Sequence, residues 1–199
     1  MALPPDASIL QMLLLLRYAL EKTLALLALL LGAMVLCGLF GALHDQISYT
    51  VSPEYFTRFK FLQFGALAVG PVRLSVAYVG VQATWWMGIP IGATLGTIGL
   101  SAQDARTMLR ETLRAFGVVA AVSLVFGFGG LLWGMVTFQR ASPPIPPGWY
   151  LPPGGVQDLA AFLRAGAMHN ASYLGGAVGT LVAAVLLARR VTTRRHRPT

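Results

Sequence analysis

His44 and His169 are the residues of this chain best suited to chemistry: two of its three histidines, each beside an apolar run. Imidazole is the commonest metal ligand and the side chain that exchanges a proton most readily near neutrality. Asp45, Gln46, Ser48, Tyr49, Glu54, Tyr55, Asn170 and Tyr173 lie nearby in sequence. His44, Glu54 and His169 together offer two nitrogens and a carboxylate, a donor set suited to Zn, Fe or Cu. A fourth position left open would admit water or substrate, as catalytic metal sites do. With Fe or Cu such a site would be redox-active. Asp45, Tyr49, Tyr55, Asn170 and Tyr173 are the candidates for holding the ligands by hydrogen bonds. His169 and Tyr173 are four residues apart, hence on one helix face. A haem with His44 and His169 as axial ligands is an alternative use of the same pair.

An architectural reading stands beside these. His44 at a helix end would meet terminal carbonyls. Glu54 would complement a helix dipole. His169 and Asn170 would hydrogen-bond between helices. The sequence holds no HExxH, CxxC, Walker loop or GxSxG motif, so it names no reaction and leaves open whether the protein is an enzyme.

These residues need elements to position them, and the composition says of what kind. Of 199 residues, 56% are hydrophobic and 11% charged, and the mean hydropathy is +0.67. Soluble domains carry about 25% charged residues; half of that cannot cover a water-facing surface. The expected fold is an all-α integral membrane four-helix bundle forming one domain. Its spans fall near residues 23–43, 72–100, 115–138 and 166–188, with a basic tail at 189–199. The first helix begins earlier, near Ala7, and is read as retained rather than cleaved. Arg17 and Glu21 pair across one turn. Pro90 is the expected kink in the second span.

The connections carry their own signals. Ser52, Pro53 and Glu54 read as a helix start, followed by Tyr55, Phe56, Phe59, Phe61 and Phe64 mixed with Arg58 and Lys60. Rings interleaved with cations suit a short interfacial helix in the first outer loop. Ser101 with Asp104 resembles a capping box ahead of a stripe formed by Arg106, Arg110 and Arg114. A proline-rich loop, 139–156, holds Trp149 and Tyr150 as membrane-interface anchors. Gln82, Trp85 and Trp86 are placed at the floor of the polar pocket.

Arg and Lys concentrate around the N-terminus, the second connection and the tail, which holds His196. The positive-inside rule makes that side cytoplasmic, with both termini on it. The net charge of +8 then serves anionic lipid headgroups of the cell membrane, and nucleic acid is not an expected partner. Cys37 is the only cysteine, which excludes an intrachain disulfide. Small residues recur every fourth position: Ala33, Cys37 and Gly41; Gly88, Gly92 and Gly96; Gly130 and Gly134; Gly175 and Gly179. Such rows let helices approach within the bundle, or join copies or a membrane-protein partner.

The segments HDQISYTVSPEYFTRFKFLQFG, residues 44–65, and HNASYLGG, residues 169–176, resemble the hallmarks of an uncharacterised family of small multi-pass bacterial membrane proteins. The resemblance implies a multi-pass membrane protein and carries no activity. The rival to a metal-binding protein is therefore a non-enzymatic assembly partner, subunit or small transporter.

Overall fold

The computed structural model describes residues 5–66, 70–140 and 143–195. Among these the chain is helical, without strands: α1 (Pro5–Val51), a π-helical turn (Tyr55–Lys60) running into α2 (Phe61–Phe64), α3 (Val72–Thr84), a 3-10 turn (Trp85–Met87), α4 (Gly88–Gly99), α5 (Ala105–Thr137) and α6 (Leu159–Arg195). Three helices among the described residues are long and apolar enough to cross a membrane: Ile9–Val51, Ala105–Thr137 and Leu159–Thr193. Leu31, Val35, Val125, Leu132 and Leu181 point outward from them, which suits lipid as the surrounding solvent. His196 and Arg197 of the basic tail lie outside the described residues.

α1 is longer than its apolar run. Its 47 residues rise roughly 70 Å, because Leu and Ala dominate it and no breaker occurs before Pro53. Pro53 disfavours helix at Ser52 and ends it there. His44 consequently lies two turns inside α1 and not at its end. At the other end Arg17 Nε donates to Glu21 Oε1 at 2.8 Å, the expected pair. Lys22 is buried and donates to the carbonyls of Leu100 and Ala102 just past α4, where a helix leaves its carbonyls unsatisfied.

The break between α3 and α4 falls at Thr84 (φ −125°) and the 3-10 turn, one turn before the expected kink residue. Proline at position 90 removes the hydrogen bond to residue 86 and its ring presses on that carbonyl, so the distortion lands upstream. α5 is capped by Asp104 itself, which accepts from Thr107 N and Thr107 Oγ1 at 2.8 and 2.9 Å. Ser101 is not the cap, since the helix begins at Ala105. The basic stripe is partly consumed inside the chain: Arg110 and Arg114 pair with buried Glu111 at 3.3 and 2.9 Å.

The glycine rows set the helix packing. A Cβ on Gly80 would collide with the carbonyl of Gly41, and one on Gly88 with the backbone of Met34, so α3 and α4 lie backbone to backbone against α1. Thr84 Oγ1 sits 2.7 Å from Cys37 O at the same crossing. Gly130 and Gly134 fit against Ala167 of α6, and Gly175 and Gly179 against Ser123 and Val119 of α5.

Replacing Gly80 with Val should destabilise the fold by about 3 kcal/mol, the upper part of the overpacking range, because the obstacle is backbone. Gly129→Ala, whose added Cβ meets nothing within 4 Å, should leave thermal unfolding in detergent unchanged or raised. The hydrogen bond from Thr107 N holds the Asp104 carboxyl below the usual carboxylate range. The charged cap therefore stabilises the fold above that range and is lost as pH falls through it. Melting curves between about pH 5 and pH 2 should show a shallower acid decline in Asp104→Asn, which keeps a capping oxygen.

Candidate metal centre

Helical spacing brings the polar residues of two helices together. On α1, His44 and Ser48 are four apart and Asp45 and Ser48 three apart; on α6, His169 is followed by Ser172 and Tyr173. The two faces meet where α5 presents Gly127, at which any Cβ would collide with Ser172 Oγ and lie 3.6 Å from His44 Nε2. Glycine there makes room for the crossing.

His44, Asp45 and His169 are each under 5% exposed. The imidazoles stand edge to face with centroids 4.9 Å apart. Asp45 Oδ1 lies between them, 3.3 Å from His44 Nδ1 and 3.7 Å from His169 Nε2. His44 Nε2 is 2.8 Å from Ser172 Oγ, and His169 Nε2 is 3.0 Å from Ser48 Oγ. Asp45 Oδ2 is buried with no hydrogen-bond partner among the described residues. A buried carboxylate oxygen in that position needs a proton or a cation.

The donor set fits a metal ion. One donor atom from each of His44, Asp45 and His169 lies within 4.8 Å of the other two. Donors of a tetrahedral ion with ~2 Å bonds lie about 3.3 Å apart, so a separation of 4.8 Å would close by about 1.5 Å, shared among the side chains. Ser172 holds His44 Nε2 while Nδ1 faces Asp45, the kind of partner that fixes ring orientation in metal sites; Ser48 shares with Asp45 the same nitrogen of His169 and would give way to an ion there.

Aromatic rings dry the surroundings. Phe40 stacks on His44 at 5.8 Å, and Tyr55 on His169 at 4.9 Å and 28°. The π-helical turn turns both Tyr55 and Phe56 inward, and such turns recur at functional sites. Burial raises the Tyr55 pKa well above the ordinary phenol value, so its hydroxyl stays protonated. Lys60, in the same turn, is buried with Nζ 4.7 Å from the Phe59 ring centroid and 3.1 Å from Gln63 Oε1. Burial lowers its pKa, against the opposing pull of Asp45.

Other residues chosen from sequence stand elsewhere. Glu54 is not in the cluster. Its carboxylate accepts from the backbone N–H groups of Gln157 and Asp158 at 2.8–3.0 Å, ahead of α6, because those unsatisfied donors attract an anion. Asp45 supplies the carboxylate instead. Tyr49 packs on Phe56 and under the Arg73 guanidinium. Asn170 is exposed on the far face of α6, beside Trp133 and Trp149. Tyr173 is 6.4 Å from His169 by ring centroids. Trp149 packs on Phe138, and Tyr150 on Phe59. Gln82 donates to Tyr78 and Trp86 to Ala83 O; Thr84 and Met87 border the cavity where Gln82 and the tryptophans were expected.

No family model, curated protein or solved structure matches the chain. The chemistry therefore rests on the geometry alone. Sequence reasoning placed Ser48 among the polar residues near the histidines without giving it a role, and passed over Ser172 and Gly127. Ser172 was detectable from its spacing to His169; Gly127 was not, because it acts across a helix crossing.

Glu54→Ala should lower the melting temperature in detergent, by the roughly 1.5–3 kcal/mol typical of a charged hydrogen bond, and leave metal content unaltered. Metal analysis and thermal melts on one preparation read both effects.

Proposed function

We propose that the protein is a four-span membrane metalloprotein whose His44, Asp45 and His169 hold one divalent transition-metal ion, Zn, Fe or Cu. The observation that carries this reading is the unpartnered buried oxygen of Asp45 beside two imidazoles. Two nitrogens and one carboxylate, with a cavity on the open side, are the donor set of catalytic zinc and non-haem iron sites. Bound there, the ion would supply Lewis-acid or redox chemistry. The cluster residues hold it, and the Phe40 and Tyr55 rings keep bulk water from it. The two imidazoles stand edge to face with a carboxylate between them, an arrangement that favours a single ion over a haem.

The fourth span is residues 72–99. α3 and α4 are each too short to cross alone, at 13 and 12 residues. Joined by the 3-10 turn they rise roughly 40 Å, more than the ~30 Å of hydrocarbon, and both pack on α1. The turn at residues 55–64 lies at the interface, with Arg58 outward and Phe56 inward. The excess of Arg around the N-terminus, residues 101–114 and the tail supports a cytoplasmic side for both termini, with the metal centre then in the outer half of the membrane.

Elemental analysis of protein purified without chelators should find close to one transition-metal ion per chain. His44→Ala, Asp45→Ala and His169→Ala should each remove most of it, and Ser172→Ala should weaken affinity by about 10–100-fold. Equal metal content in the wild type and in a His44→Ala, His169→Ala double variant would sink the reading.

A further inference from the structure

Next to the metal centre lies a cavity of about 290 Å³, bounded by α1, the α3–α4 break, α5 and α6. Its walls are apolar: Ala33, Cys37, Ile91, Phe116 and Ala120 among them. Its polar groups gather at one end, where His44, Asp45, His169 and Ser172 border it. A dry apolar cavity of about 150 Å³ holds a benzene ring, so this one has room for roughly twice that bulk.

The cavity is elongated. Along α1 its lining runs from Ala33 to Asp45, roughly 18 Å of helix rise, and 290 Å³ along that length has bulk for one short chain and not for two. The cavity also opens sideways. Leu36 on α1 and Leu113 on α5 line it while remaining 45% and 50% exposed, and Gly117 beside Leu113 faces open space. Leu36 and Gly117 lie within helices long and apolar enough to cross a membrane, so in a bilayer that gap would open to hydrocarbon and access would be from the lipid.

We propose that this cavity takes a single-tailed, lipid-borne molecule with an oxygen headgroup, such as a fatty acid, alcohol or aldehyde. It slips in between α1 and α5 and lays its oxygen against the metal centre. The head assignment rests on the metal reading above; the tail assignment rests on the cavity. The open side of the metal centre at the polar end, bordered by His44, Asp45, His169 and Ser172, is where an oxygen head would lie, and the wall offers the tail contacts that lipid would otherwise provide. Tyr173, which lines the cavity from α6, stands beside the head as a hydroxyl donor.

The test uses full-length protein in lipid nanodiscs, a diazirine-bearing decanol as probe, and peptide mapping after illumination. Labelling should fall on Cys37, Phe116 and Ala120, and excess decanol should compete it away. Gly117→Phe, whose Cβ meets nothing within 4 Å and whose ring would stand in the mouth, should cut cavity labelling at least tenfold while metal content and melting temperature hold. His44→Ala with His169→Ala should weaken it several-fold. Label found only on outward residues such as Val125 and Leu181, with no effect of Gly117→Phe, overturns the proposal even if metal is bound. Cavity labelling unchanged in the double histidine variant overturns the head assignment. A metal-free wild type whose cavity labelling is lost in Gly117→Phe supports the tail site and counts against the metal reading alone.

Discussion

In hydrocarbon a helix gains little by trading lipid contacts for leucine contacts, so close backbone approach decides which helices adhere. This constraint organises the molecule. Gly41 on Gly80 and Gly88 on Met34 bind α1 to the α3–α4 pair; Gly130 on Ala167 and Gly175 on Ser123 bind α5 to α6. Two tight pairs result, and α1 and α5 face each other across a gap. The cavity is that gap, and the polar cluster lies at its end.

The cluster needs a second kind of closure. Its residues are buried partly by the segment after α1, which carries Tyr55 onto His169. Glu54 holds that segment in place by accepting backbone N–H groups ahead of α6. Its carboxylate thus anchors the cover without touching the cluster. The same turn packs Lys60 among rings instead of leaving it in water, so the cover over the imidazoles is apolar in character despite its cationic sequence.

Much of this was legible in the residues. Low charge and long apolar runs gave the helical class. The small-residue rows identified the faces that pack, and the pairing of Arg17 with Glu21 followed from their spacing. The juxtaposition of His44 and His169 was read from their positions relative to the ends of two runs. What escaped was set by contacts between distant segments. Glu54 looked like a ligand because an acid near a histidine always does; only the arrival of Gln157 and Asp158 shows what it binds. Asp45 was relegated to support because helix phase alone does not tell which of two adjacent polar residues faces inward. The helix break preceded Pro90 because proline distorts the turn before itself.

The cluster is assembled from residues 121 and 128 positions apart, one half on α1 and the other on α6. On α1 alone, His44 and Asp45 have only one another. Ser172 and His169 reach them only when α6 packs alongside, so docking of α6 is the event that encloses the polar groups of α1.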